Sequence, residues 1–417
     1  MHIHFLGICG TFMASLAGIA LQMGYKVTGQ DKQYYDPMKS LLNELGINEE
    51  ISVEASKNLI QSDLVIIGNA ISRGNPAAEY ILNNRLKYSS GPAWLSKNVL
   101  KDKKVIVIAG THGKTTTSFM VQQILQDNGH DPGYLIGGIS NNTNKSFRYS
   151  HSEYFIIEGD EYDTAFFDKR SKFIHYKPHI LGITNIEYDH SDIFQNLDDI
   201  YKQFQNLFRV MPTSSIVLSH HINTNIKKLT KSQFWSKTKF LEKEDLQISN
   251  LLGKHNNENA TLAINIASQL NIDKKESTKS LQKFLGVKRR LEIIYNKDII
   301  VYDDFAHHPT EIKASVETIN KLHNKNKIHY ILQIGSNTMI SGEHKDALIN
   351  IFSETENLYL YTPDQTDWLP NNYLSISYSS LKDLTRDLFE EVNKEDVVVF
   401  MSNKNSEEFI NLVYDYG

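Results

Sequence analysis

Eight residues, Gly110-Thr111-His112-Gly113-Lys114-Thr115-Thr116-Thr117, stand directly after the apolar run Val105-Ile106-Val107-Ile108-Ala109. A buried strand that ends in a glycine turn and opens a helix makes an anion site. Glycines let backbone N–H groups approach a phosphate, the helix N-terminus adds the positive end of its dipole, and a lysine reaches the outer phosphates. The Thr115 hydroxyl then has the chemistry of a magnesium ligand. Only Thr111 and His112 separate the two glycines, where the common nucleotide loop has four intervening residues. A glycine-rich turn with a helix-capping threonine is the structural alternative, and the complete Gly-Lys-Thr-Thr context after a strand favours the phosphate loop.

Two acidic clusters follow, each at the end of an apolar segment: Glu158-Gly159-Asp160-Glu161-Tyr162-Asp163 and Asn185-Ile186-Glu187-Tyr188-Asp189-His190. Hard cations take oxygen ligands, so carboxylates at strand ends facing a phosphate loop are what magnesium nucleotide chemistry requires. Either cluster alone reads as solvated surface; two of them after buried strands, in one segment with a phosphate loop, read as a site. His190 is either structural or, beside Asp189, an ion ligand. A second glycine loop, Gly7-Ile8-Cys9-Gly10-Thr11-Phe12-Met13, follows the apolar start of the chain. Asp31 ends the next strand, where an α/β fold places an acidic residue near a ribose or base, or simply a loop carboxylate. The loop spacing is GxxG, short of the full dinucleotide fingerprint. Asn69 to Asn75, including Ser72, forms the loop after a third buried strand, at the sheet edge where such folds place ligands.

These loops need strands and helices to hold them. His2–Leu6 reads as a strand and Ala14–Met23 as the following helix, in preference to an export signal, because no Lys or Arg precedes the apolar stretch and glycines interrupt it. Tyr25–Gly29 and Asp63–Gly68 read as further strands. Lys101–Lys104 is a polar linker, Ala260–Leu270 a helix with Asn256 or Asn257 as a candidate cap, and Ile299 to Thr310 opens a third strand–loop–helix region after Lys288-Arg289-Arg290. At 417 residues, with 40% hydrophobic and 22% charged residues, the chain can bury several cores. The expected organisation is α/β in three domains, 1–100, 101–287 and 288–417, each a mostly parallel sheet with flanking helices: two Rossmann-like domains around a central P-loop domain. A net charge of −5 argues against a nucleic-acid surface, and the apolar segments against a membrane span. The single cysteine, Cys9, excludes an intramolecular disulfide and fits a reducing, cytoplasmic compartment.

The order Gly110 to Thr116, Asn185 to His190, Gly253 to Asn259 and Arg289-Arg290 resembles the ATP-site motifs of the Mur ligase superfamily, the ATP-dependent amide-forming enzymes of peptidoglycan synthesis. The likeness runs over nearly the whole chain. Glu161-Tyr162-Asp163-Thr164-Ala165-Phe166-Phe167-Asp168-Lys169-Arg170-Ser171-Lys172-Phe173 and Tyr302 to Thr310 are similar to one recycling branch, which joins L-alanyl-γ-D-glutamyl-meso-diaminopimelate to UDP-N-acetylmuramate. The resemblance implies a first domain holding the UDP-sugar through Gly7, Ile8, Cys9, Gly10, Thr11, Phe12, Asp31, Asn69 and Ser72. It implies a central domain holding ATP through Gly110, Thr111, His112, Gly113, Lys114, Thr115, Thr116, Asn256 and Asn259, with Arg290 and Asp304 contributing from the third. Mg2+ would be held by Thr115 and Glu161, with a second ion at His190, and His307 is implied as a peptide-side catalytic contact. No lysine stands fifteen residues after His190, where Gln205 falls and where several members carry a carbamylated one.

Two departures fall in the third domain. Gln333-Ile334-Gly335 replace the branch's Glu-Pro-Arg before Ser336-Asn337-Thr338-Met339, so an arginine suited to a peptide carboxylate is missing, and peptide affinity is expected to be weak or to be supplied by another basic residue such as Lys345. After Met401-Ser402-Asn403, Lys404-Asn405-Ser406 replace a glycine-rich stretch. An L-alanine ligase on the same UDP-sugar and a degenerate nucleotide-binding regulator are the rival readings.

Overall fold

Strands that run parallel and are covered on both faces read as continuous apolar segments, and the three main sheets are built from such strands. The computed structural model describes residues 1–417 except 190, 192, 221–223, 232–233, 245, 247, 249–250, 365 and 417. The chain divides into two compact units: 1–187 with 197–250 and 258–285, and 188–196 with 251–257 and 286–417.

The first unit holds two α/β sheets. Four parallel strands, in the order Lys26–Gln30, His2–Leu6, Leu64–Ile67 and Tyr88–Ser90, form the N-terminal one. The other has seven strands, with Lys104–Ala109 at its centre between Ile180–Ile183 and Tyr154–Gly159. All its pairings are parallel except that of the short edge strand Phe147–Arg148. Val105 to Ala109 are almost wholly buried, as a central strand demands. A small antiparallel hairpin, Asp163–Ala165 with Asp168–Ser171, leaves this sheet, and its Phe166 packs on the N-terminal core of Leu6, Val65, Ile67, Ala77 and Ile81.

The second unit has a six-stranded sheet in the order Glu292–Asn296, Ile300–Asp304, Val397–Met401, Ile328–Gln333, Leu358–Tyr361 and Ser377–Tyr378. Only the first pairing is antiparallel. Alternate residues of Val397–Met401 enter two cores: Val397, Val399 and Met401 on one face, Val398 and Phe400 on the other. Segments 188–196 and 251–257 fold with this unit although they lie inside the sequence-defined central region. The buried Asp189 accepts a hydrogen bond from Thr338 Oγ1 at 3.3 Å, which ties the first of them down.

Most predicted elements are present with shifted ends. The first helix starts at Thr11 rather than Ala14 and the third strand is Leu64–Ile67. The helix expected over Ala260–Leu270 is Lys254–Ser268, so Asn256 and Asn257 are residues of its first turn, not caps. Among the described residues no helix is long and apolar enough to cross a membrane.

Candidate functional site

The central strand delivers the chain into a turn that only glycines allow. Gly110 and Gly113 have φ of +128° and +79°, and a Cβ on Gly113 would stand 2.5 Å from Asn259 Oδ1. Helix Lys114–Asp127 begins at once, with Gly113 as its left-handed N-cap. The loop following Ile180–Ile183 clasps this turn. Thr111 N donates to the Asn185 carbonyl at 3.2 Å, His112 N to Asn185 Oδ1 at 2.9 Å, and Glu187 N to Thr111 Oγ1 at 2.9 Å. His112 Nε2 lies 3.5 Å from Glu187 Oε2. The Thr111 and His112 N–H groups are therefore used in bracing the turn. Lys114 Nζ curls back onto the carbonyls of Gly110 and Thr111, at 2.7 and 3.3 Å. Thr116 is buried inside the helix.

The carboxylate beside this loop is Glu158. The pairing of Ile108 with Glu158 and Ala109 with Gly159 sets it level with the end of the central strand. Glu158 Oε1 accepts the Gly137 N–H at 2.9 Å, and the Thr115 hydroxyl also hydrogen-bonds to its carboxyl. Burial pushes the Glu158 carboxyl up and the Asp160 charge adds to this, while Lys114 and the two hydrogen bonds pull it down. Burial would likewise raise Asp160, but Lys172 and Lys114 outweigh it and hold that carboxyl below its ordinary range. Glu161, the carboxylate singled out by sequence, is buried three residues further on, where its carbonyl accepts from Ser171 Oγ. The sequence placed three acidic residues within four positions, and only the strand register distinguishes them. His190 lies outside the described residues.

The N-terminal glycine loop is built differently. Gly7 has φ +80° and donates, with Ile8, to the Gln30 carbonyl at 2.9 and 3.3 Å. Asp31 reaches back across the loop: its Oδ2 accepts Cys9 N–H at 2.9 Å and its Oδ1 accepts Lys32 N–H at 2.8 Å, so both oxygens are occupied by backbone. Cys9 is buried, which raises its thiol pKa, and its sulfur accepts from Tyr35 N–H. Gly10 caps helix Thr11–Gln22 in an extended conformation without a side-chain bond. The loop carrying Asn69 and Ser72, both exposed, adjoins it through Ile71, whose Cγ1 lies 3.3 Å from where a Gly7 Cβ would stand.

In the second unit, Arg289 and Arg290 flank the Phe305 ring, at 5.2 and 5.0 Å from its centroid. Arg289 Nε pairs with Asp303 Oδ2 at 3.1 Å and Arg290 Nη1 with Glu311 Oε1 at 3.2 Å. Asp304 is buried, which raises its pKa, and its oxygens accept from Leu291 N–H and the Ser315 hydroxyl. His307 Nδ1 is 3.0 Å from the Phe305 carbonyl. Asn256 belongs to this unit and donates to the Leu252 carbonyl at 2.8 Å, whereas Asn259 belongs to the first. The two departures from the family pattern meet in space: a Cβ on Gly335 would be 3.2 Å from Lys404 Cγ and 3.4 Å from its Cε. Lys404 is thus a lysine lying over the glycine that stands where the branch has its arginine. Both follow the C-terminal ends of adjacent parallel strands, the edge where α/β sheets bind ligands.

A P-loop lysine and hydroxyl beside a half-buried carboxylate can hold a nucleotide's outer phosphates together with a hard cation. Residues 2–102 match the Mur ligase family, catalytic domain; residues 108–267 match the Mur ligase middle domain; residues 289–404 match the Mur ligase, glutamate ligase domain. The UDP-N-acetylmuramate--L-alanyl-gamma-D-glutamyl-meso-2,6-diaminoheptandioate ligase of Haemophilus influenzae is 40% identical, over 96% of this chain and 96% of its own. The Escherichia coli ligase of the same name is also 40% identical, over 88% and 86%. The crystal structure of a murein peptide ligase from Psychrobacter arcticus superposes with a TM-score of 0.77 at 33% identity, covering 100% of this chain and 99% of that one.

Proposed function

The chain belongs to the Mur ligase family, and from that premise we propose that it joins L-alanyl-γ-D-glutamyl-meso-diaminopimelate to UDP-N-acetylmuramate, with ATP converted to ADP and phosphate, in cytoplasmic recycling of peptidoglycan. The observation that carries the phosphoryl-transfer half is the grouping of Lys114, Thr115 and Glu158 at one strand edge. The names of the two 40%-identical relatives support the substrates.

The acceptor is an anion attacking another anion, so the residues must neutralise charge and align oxygens. Lys114 would leave the loop carbonyls to meet the outer phosphates, and the first N–H groups of its helix would add the positive end of the dipole. Thr115 and Glu158 offer the hard oxygen donors that Mg2+ takes, and such an ion would offset the phosphate charge. Asn259 would keep the glycine turn in shape. The γ-phosphoryl group passes to the sugar's carboxylate, forming an acyl phosphate and ADP. The peptide's amino group then attacks the acyl carbon, an amide forms, and phosphate leaves. In the first unit the Gly7 to Phe12 loop, with the loop of Asn69 and Ser72, would bind the UDP-sugar, and Asp31 would hold its loop in shape. Arg290, Asp304 and His307 would serve the second unit's part of the reaction. Lys404 would supply the cation for a peptide carboxylate in place of the arginine absent at Gly335. Removing one such charge-assisted contact costs on the order of 1.5 to 3 kcal/mol, so Lys404→Ala should raise the tripeptide KM by about tenfold or more and leave that for ATP unchanged.

Phosphate release and product mass, measured with ATP, Mg2+ and UDP-N-acetylmuramate plus either the tripeptide or free L-alanine, test the proposal. Turnover with the tripeptide is expected. Turnover with L-alanine alone would shift the reading to the alanine ligase, and nucleotide binding without turnover would shift it to a regulator.

A further inference from the structure

Lys172 is the single lysine or arginine that is buried among the described residues, its side chain 7% exposed. Its ammonium donates to Asp160 Oδ2 at 3.0 Å and to the Tyr162 hydroxyl at 2.9 Å, and that hydroxyl in turn donates to Asp160 Oδ2 at 2.9 Å, closing a triangle. The same ammonium stands 4.1 Å from the centroid of the Tyr162 ring and 5.2 Å from that of Phe12. Phe12 lies in the first turn of the helix that opens from the N-terminal glycine loop, and its ring is pressed against Gly91, where a Cβ would meet Phe12 Cε1 at 2.6 Å. Asp160 lies two residues beyond Glu158 at the phosphate loop. The turn that carries Lys172 is itself tied to helix Gly91–Asn98 by Ser96 Oγ, which donates to the His175 carbonyl at 2.7 Å. One buried cation thus touches the glycine loop on one side and the acidic loop on the other.

A buried ion pair is a poor device for stability alone, because desolvating both charges offsets their attraction and an apolar pair of similar volume commonly holds a fold as well. Its geometry is nonetheless sharply defined by directional bonds and by cation–ring contacts. Resting on the proposed function, in which one loop holds the UDP-sugar and the other the nucleotide, we infer that Lys172 is a positioning residue that sets the spacing between these two loops, so that the acceptor carboxylate and the γ-phosphoryl group meet in line.

The test separates spacing from folding. The double variant Lys172→Met with Asp160→Asn removes both charges together and leaves neither one buried alone. It should unfold within a few degrees of the wild type and keep KM values for ATP and UDP-N-acetylmuramate within about threefold. Its kcat should fall about thirtyfold or more, since a misplacement near 1 Å can cost about a hundredfold. A folded double variant with kcat within threefold of the wild type would overturn the inference. If that protein does not fold, Tyr162→Phe decides: it keeps the ion pair and removes the hydroxyl that closes the triangle, and kcat should drop about fivefold with the KM for UDP-N-acetylmuramate within about threefold, while undiminished kcat overturns the inference. A wild-type protein that releases no phosphate with these substrates counts against the functional reading and the inference together, whereas active wild type with equally active variants sinks the inference alone.

Discussion

Two strand–glycine loop–helix turns in the first unit occupy the same topological position and are wired differently. At Gly110–Gly113 both glycines are left-handed, a lysine folds over the turn, and an uncharged side chain, Asn185, takes the His112 N–H. At Gly7–Gly10 only Gly7 is left-handed, no lysine follows, and a carboxylate, Asp31, takes the Cys9 N–H. The strands feeding them differ as well: Val105–Ala109 is apolar throughout, whereas His2–Leu6 buries His4, whose Nδ1 lies 2.9 Å from the Thr28 hydroxyl. In the proposed function a lysine suits the turn that would stabilise changing charge, and a carboxylate clasp suits the one that would only hold its ligand. The shared motif therefore specifies a place on the sheet, and the neighbouring strand decides the electrostatics.

The largest effect should come from Lys114→Ala, which removes the cation of the second loop. Ligation should fall by about a hundredfold to a thousandfold with the thermal unfolding temperature retained, and near-wild-type turnover in a folded variant would break the contrast.

Acid should weaken the first region through His4. Burial lowers the pKa of His4 to about 4, while the unfolded chain keeps a value near 6.5. Below about pH 6.5 the unfolded state binds a proton that the folded state refuses, so this contribution is present above that pH and is lost as pH falls towards 4, on the order of 3 kcal/mol in all. Urea midpoints at pH 7 and 4.5 measure it, and His4→Leu should flatten the dependence. An identical acid slope in that variant rules His4 out as its source.

Next in size is a pair of alanine substitutions. Gly113→Ala places a Cβ in a left-handed conformation at a cost of about 1–2 kcal/mol and against Asn259, which should lower the unfolding temperature by a few degrees and activity by at least about tenfold. Gly10 is extended, and its Cβ would find the nearest atom 3.8 Å away, so Gly10→Ala should leave the unfolding temperature unchanged. Equal stability losses at the two sites would show that the turns are alike after all.

The smallest change is expected from Asp31→Asn. One of the two backbone N–H groups loses its acceptor, which should raise the UDP-N-acetylmuramate KM by about fivefold with little change in that for ATP. A normal KM in the variant would mean that the carboxylate clasp is dispensable to the first loop.

Much of this was legible in the residues. The phosphate loop, its strand and its helix could be read from Val105 to Thr117, because a buried parallel strand is an unbroken apolar run and a left-handed turn demands glycine. The α/β class, the glycine loop and the family likeness followed from the same local patterns. What local pattern could not rank was Glu158, Asp160 and Glu161, since register between strands far apart in sequence chooses which carboxylate meets Thr115. Nor could it show that Asp31 would spend both oxygens on backbone, or that the helix after Gly253 begins soon enough to enclose Asn256 and Asn257.

By itself, then, the sequence determined where turns and strands must occur and which residues can carry charge, because those choices rest on backbone sterics and on apolar periodicity over a few neighbours. The tertiary structure alone decided which charges meet. Lys172 against Phe12, 160 positions away in the chain, and Lys404 over Gly335 both depend on strand order and side-chain packing. Charge interactions and pKa shifts depend on distance through space and on burial, so a residue's function follows from its neighbours in space, which spacing along the chain does not contain.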